Sequence, residues 1–180
     1  MNSRKPFLTR IIVLLICSLF ATGSAFAQED EEGSNQKTKQ AQAVSKEVYD
    51  RIQKAQEMID ADDQQGALKM LNALKTKKGI TEYELQNVLN YIGFVHYNLE
   101  NIDEAMAAYE EMIRIPSIEP QIKKQTIYTM AQLSTMQEKY EPALKYLDEY
   151  FVLETNPAPD NYILYAQNLY QVNRYADMVE

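Results

Sequence analysis

The chain has one histidine, one cysteine and no tryptophan among its 180 residues. A single histidine, His96, cannot build a His-based metal cluster, and the chain has no Ser-His-Asp pattern around it. His96 is expected to be packed or half-exposed. A disulfide takes two thiols, so Cys17 alone excludes an internal bridge. The five glycines form no phosphate-cradling loop. Asp60-Ala61-Asp62-Asp63 faintly resembles a calcium loop. It has Gln65 where a glycine is needed and Leu71 where the closing glutamate belongs. It reads as an acidic turn ending a helix. The expectation is a non-catalytic protein with no cofactor and no metal.

Long apolar runs are equally scarce. The one present, Ile11 to Phe20, follows Arg4, Lys5 and Arg10 and leads to Ala25-Phe26-Ala27. That order is a secretory signal peptide over residues 1–27, with cleavage after Ala27. A bilayer span needs about 20 apolar residues, so a retained anchor is the lesser reading. Cys17 follows Ile16, where a lipidated cysteine would follow a small residue; it reads as part of the leader. Losing three positive charges with the leader leaves 15 basic against 26 acidic residues, a net −11. Such acidity suits solubility and opposes nucleic acid or an anionic membrane surface. Residues 28–44 open with Glu29-Asp30-Glu31-Glu32 and have little to bury, so they are expected to be a disordered leader.

The remainder, residues 45–180, is organised around one stretch. It reads Leu89-x2-Ile92-Gly93-x2-His96, then Ala105-x3-Tyr109, then Pro116. This is the skeleton of a tetratricopeptide repeat, two antiparallel helices packed as a unit. Gly93 and Ala105 let the two backbones approach, and Leu89, Ile92, Tyr109 and Met112 fill the space around them. The same small-residue pair recurs as Ala55 with Ala67 and Ala131 with Ala143. A partial fourth sets Ala166 against Met178. The first members lie 38, 38 and 35 residues apart.

The fold expected is therefore all-α. It is a tetratricopeptide-repeat α-solenoid of antiparallel helix pairs, with about three full repeats and an incomplete fourth. The repeats span about 45–79, 82–117, 121–155 and 159–180. Ser45 is a helix N-cap, with a first helix to about Asp60 and a second over about Gln64–Lys75. Arg51 and Lys54 stand where later repeats are apolar, as suits an outward-facing first unit. Thr81-x-x-Glu84 is a capping box, and Asn101 with Glu104 is expected to act similarly. Pro116 and Pro120 bracket a turn, and Pro142 falls in a first helical turn, where proline is tolerated. Asn156-Pro157-Ala158-Pro159 is a break. With so little chain after Tyr175, Tyr162, Tyr165 and Leu169 are expected to lack part of their cover, as in a fragment of a longer array.

Repeat arrays bind along one side of each first helix. By register that side carries Tyr49, Ile52 and Gln56; Asn87, Asn90, Phe94 and Tyr97; Tyr128, Gln132 and Thr135; and Ile163, Gln167 and Tyr170. Aromatic rings with amides suit an extended peptide, giving apolar contact and backbone hydrogen bonds. The scarcity of Lys and Arg there opposes gripping an acidic C-terminus. The same positions also serve packing between units, and about half are expected to do so.

The chain further resembles a group of periplasmic tetratricopeptide proteins encoded beside TonB, ExbB and ExbD-like components in Gram-negative bacteria. The likeness rests on Ala41-Gln42-Ala43-Val44-Ser45 through Ala55-Gln56-Glu57-Met58-Ile59-Asp60, then Tyr83-Glu84. It continues in Ala131-Gln132-Leu133, Tyr140-x2-Ala143, and Asn156-Pro157-x2-Asp160 through Tyr170-Gln171-Val172 and Tyr175. Met178 departs from the small residue expected there. The resemblance implies a periplasmic accessory of TonB-type energy coupling, as in iron uptake, with TonB, ExbB or ExbD-like partners. The array alone equally suits a scaffold for another envelope machine, such as outer-membrane, pilus or secretion components. A third reading is an enzyme, or an enzyme's regulatory arm, which the lack of catalytic groups opposes. Oligomeric state stays open.

Overall fold

A computed structural model describes residues 44–178. The expected signal peptide and all but the last residue of the expected leader lie outside the described residues. Val44, the last residue of that leader, packs against the hydrophobic core.

The described regular structure is all helical, with no strand. The helices are α1 (Lys46–Asp60), α2 (Gln64–Lys75), α3 (Glu82–Asn98), α4 (Ile102–Ile113), α5 (Pro120–Met136), α6 (Tyr140–Leu153) and α7 (Pro159–Gln171). A short 3-10 turn, Tyr175–Met178, follows. Helices adjacent in sequence are adjacent in space: α1 packs with α2, α3 with α4 and α5 with α6. Joints of α2 on α3, α4 on α5 and α6 on α7 connect these pairs.

One turn geometry closes each pair. Asp62, Glu100 and Glu138 adopt left-handed backbone at φ 64°, 62° and 60°. Asn173 does so after α7, at φ 60°. In each turn the next N–H reaches the carbonyl five residues back. Asp63 bonds Met58, Asn101 bonds His96, Lys139 bonds Ser134 and Arg174 bonds Leu169, at 2.8–2.9 Å. These bonds satisfy carbonyls that a helix end leaves open. The four left-handed residues are spaced 38, 38 and 35 apart, like the small residues.

The helix contacts follow side-chain size. A Cβ on Gly93 would lie 2.5 Å from Cε1 and 2.6 Å from Cζ of Tyr109, so this ring rests directly on the glycine backbone. At the same register, Ala55 corresponds with Leu71 and Ala131 with Leu147, and all four are fully buried. Glycine thus stands against the ring, and at the same register of the other pairs alanine recurs with leucine.

Two helix starts depart from expectation: Ser45 precedes α1 without a side-chain cap bond, and Asn101 does the same before α4. Thr81 and Glu84 form the capping box, but Asn101 makes no side-chain cap bond. The reason lies at the third helical residue. Asp63 has nearly the same backbone angles as Asn101 and does cap, accepting from the Gly66 N–H at 2.9 Å. A Cβ on Gly66 would lie 2.1 Å from that carboxylate. Asn101 has Glu104 at that position, and its Cβ would meet an amide placed as the Asp63 carboxylate is. Thr81 escapes the conflict because its backbone is extended, at ψ 160°.

Leu169 also departs from expectation, being 1% exposed. It shares the inward face of α7 with Asn161 and Asn168, which are buried with it. Those asparagines bond Tyr150 of α6 and Thr135 of α5. Tyr162 is exposed as expected, and Tyr165 is half-buried with its hydroxyl donating to Asp148 at 2.6 Å. Arg51 and Lys54 are exposed and pair along α1 with Glu47 and Glu57.

Candidate functional site

The candidate surface consists of first-helix side chains that recur at the 38, 38 and 35 spacing. One register row is Gln56, Phe94, Gln132 and Gln167. A second is Ile52, Asn90, Tyr128 and Ile163. A third is Ile59, Tyr97, Thr135 and Tyr170. Tyr49 and Asn87 form a further pair one turn earlier.

The structure divides these positions. Ile52, Asn87 and Tyr97 are buried, at 8%, 5% and 6% exposure. They belong to packing and offer no side chain to a partner, which corrects the expected surface. Ile52 joins the core formed by α1, α2 and α3 with Ala108 of α4. The Asn87 amide turns back to donate to the Tyr83 carbonyl at 2.7 Å. Burial of Tyr97 pushes its hydroxyl pKa up.

Others are committed to joints between helices. The Gln56 amide donates to the Tyr91 hydroxyl. Thr135 donates to the Ala131 carbonyl and contacts Asn168 Oδ1, each at 3.0 Å. The Tyr128 ring lies 4.8 Å from that of Tyr150, centroid to centroid. Burial raises the Tyr128 pKa, opposed by hydrogen bonds with Asn161 and Gln132. Tyr150, Phe151, Tyr162 and Tyr165 extend this aromatic joint between α6 and α7, with centroids 5.0–5.6 Å apart. Burial and the Asp148 carboxylate push Tyr165 to about 12.

What remains open falls in two places. Tyr49 is exposed, and Asn90, Phe94 and Gln132 are half-buried along α3 and α5. At the other end, Ile163, Gln167 and Tyr170 come together in one open groove of about 340 Å³. Ala166, Gln171 and Met178 complete its lining. These three fall outside the register rows that periodicity selects. The expected correspondence of Ala166 with Met178 was the signal that could have found them.

His96 lies outside both places. It is half-buried, its Nδ1 lacks a hydrogen-bond partner, and burial lowers its pKa against the pull of Glu104. The acidic turn at Asp60 to Asp63 is used structurally, by the left-handed Asp62 and the capping Asp63. Among the described residues, no cluster of His, Cys, Asp or Glu is placed to hold a metal. No described helix is long and apolar enough to cross a membrane. No protein-family model, curated protein or solved structure matches the chain.

Proposed function

We propose that the chain is a tetratricopeptide-repeat scaffold that binds a protein partner and performs no catalysis. The observation that carries this reading is the repeated turn. Four left-handed turns with the same hydrogen bond recur at the spacing of the small residues. Three complete helix pairs and a partial fourth give that pattern its unit. Stacked helix pairs of this kind work as binding frames.

The binding face runs along Tyr49, Asn90, Phe94 and Gln132, where rings and amides stay at least partly open. An extended peptide fits this chemistry, since amides pair with its backbone while rings cover its side chains. With the signal peptide removed after Ala27, the protein works in the periplasm. Its resemblance to proteins encoded with TonB, ExbB and ExbD-like components supports a role as an accessory of TonB-type energy coupling and iron uptake.

In-cell photo-crosslinking from Tyr49 and Gln132, with mass spectrometry of the adducts, tests both levels. Adducts to TonB, ExbB or ExbD-like proteins are the expected result. Adducts to a different envelope assembly would retain the scaffold and replace the partner. Folded protein with no adduct at either probe would remove this face as the working surface.

A further inference from the structure

The groove on α7 continues a row of joints that the chain closes elsewhere with its own helices. The Gln56 amide of α1 donates to the Tyr91 hydroxyl of α3. The Thr135 hydroxyl of α5 lies 3.0 Å from Asn168 Oδ1 of α7. Each contact reaches from the first helix of one unit to the first helix of the next. By the 38, 38 and 35 spacing, Gln167 stands where Gln56 stands, and Tyr170 where Thr135 stands. Ile163 and Tyr170 are 53% and 58% exposed, while Ile52 and Tyr97, in the same two rows, are 8% and 6% exposed. Rows that are closed earlier in the chain are open on α7.

We propose that this groove seats a helix of a partner protein, placed as a further first helix would be. The contacts already made show what such a helix presents. Tyr91 and Asn168 each offer a side-chain oxygen to the preceding first helix. The counterpart of Asn168 in α3 is Val95, four residues after Tyr91. Positions four apart lie on one face of a helix. The partner helix therefore carries an oxygen-bearing side chain at one or both of two positions four residues apart, set among apolar residues. Gln167 and Tyr170 turn an amide and a hydroxyl to those positions, as Gln56 and Thr135 do. Ile163 and Met178 give the apolar contact, and small Ala166 permits close approach. A helix laid in a groove is a different mode from the extended peptide fitted to the Tyr49–Gln132 face, and the two readings are independent.

The groove has no charged residue in its lining, so the docked side of the partner helix is uncharged. That feature separates a partner from a second copy of the chain stacked end to end. Such a copy would bring α1 to the groove, with exposed Arg51 and Lys54, which are costly to bury away from water.

The test places photo-reactive benzoylphenylalanine at Gln171 or at Met178, both in the groove lining, in the full chain in cells. Mass spectrometry of the adducts maps the segment that each probe reaches. The expected result is one segment of another protein, reached from both positions. A synthetic peptide of that segment is then titrated against the purified chain, and its labelled backbone shifts, read by NMR, turn helical on binding. Ile163→Asp, at an exposed site that leaves the fold intact by circular dichroism, weakens binding by about tenfold or more. Gln167→Leu with Tyr170→Phe, which removes both donors, weakens it by about threefold or more. Lys69→Ala, exposed on α2, leaves it unchanged. Folded chain with no adduct from either position overturns the proposal. So do adducts that join two copies of the chain, a peptide that binds in extended form, and binding that Ile163→Asp leaves intact. The probes at Tyr49 and Gln132 report on the other face separately.

Discussion

Gly93 and Tyr109 show how one residue's size is set by another. The ring is 2% exposed and leaves no room for a Cβ on the glycine. Alanine is the better helix former by roughly 1 kcal/mol, so a helical glycine needs a reason of this kind. Gly93→Ala is expected to destabilise by about 1–3 kcal/mol net, because a buried ring must shift. Tyr109→Leu recreates the leucine found at positions 71 and 147, opposite alanine. In that background Gly93→Ala should be neutral or stabilising. Urea denaturation of the two single variants and the double variant measures the coupling, and equal effects in both backgrounds would dismiss the size argument. The Asp63 cap is the same lesson in reverse, since its carboxylate occupies the space that Gly66 leaves empty.

At the scale of elements, one carboxylate ties two helix starts together. Glu84 is 2% exposed and accepts from the N–H and hydroxyl of Ser45, which precedes α1. It also accepts from the N–H and hydroxyl of Thr81, the N-cap of α3. Ser45 makes no cap bond to its own helix; its hydroxyl is turned to Glu84 instead. Burial alone would raise the Glu84 pKa; the bonds from Ser45 and Thr81 outweigh it and bring it from 4.5 down to about 2. A folded-state pKa below the unfolded one contributes stability that is present in full above the unfolded value. That contribution is lost as pH falls from about 4.5 towards 2. The shift corresponds to on the order of 3 kcal/mol. Chemical denaturation at pH 7 and pH 2.5 should show the native chain losing more stability than Glu84→Gln, whose amide does not titrate. Parallel losses in both proteins would mean that other carboxylates carry the acid sensitivity.

For the whole molecule, what was legible in the sequence and what was not divide along physical lines. Proline, the Thr81 box and the small-residue spacing locate the helix pairs because they act locally, through backbone shape and close approach. The left-handed turns were not legible, since Glu100 and Glu138 are poor residues for that conformation and are held there by the helix ends around them. The surface was half legible. Periodicity assigns Ile52, Asn87 and Tyr97 to a helix side, but how far the neighbouring helix covers that side is decided by packing. Leu169 escaped for the same reason. Packing here joins mainly helices that are neighbours in the chain, so a disturbance should stay where it is made. Asn161 gives the means to check this. Its side-chain oxygen accepts from the Ala158 N–H at 2.7 Å and from the Tyr150 hydroxyl at 3.2 Å, joining the start of α7 to α6. Asn161→Ala leaves the buried Tyr150 hydroxyl and the partly buried Ala158 N–H unserved, a cost of about 1–3 kcal/mol. Amide exchange in α7 should quicken by roughly tenfold or more, while α1, α2 and α3 keep their protection. An equal rise across α1–α3 would show one cooperative block instead, in which the joint at Asn161 stabilises every helix of the chain.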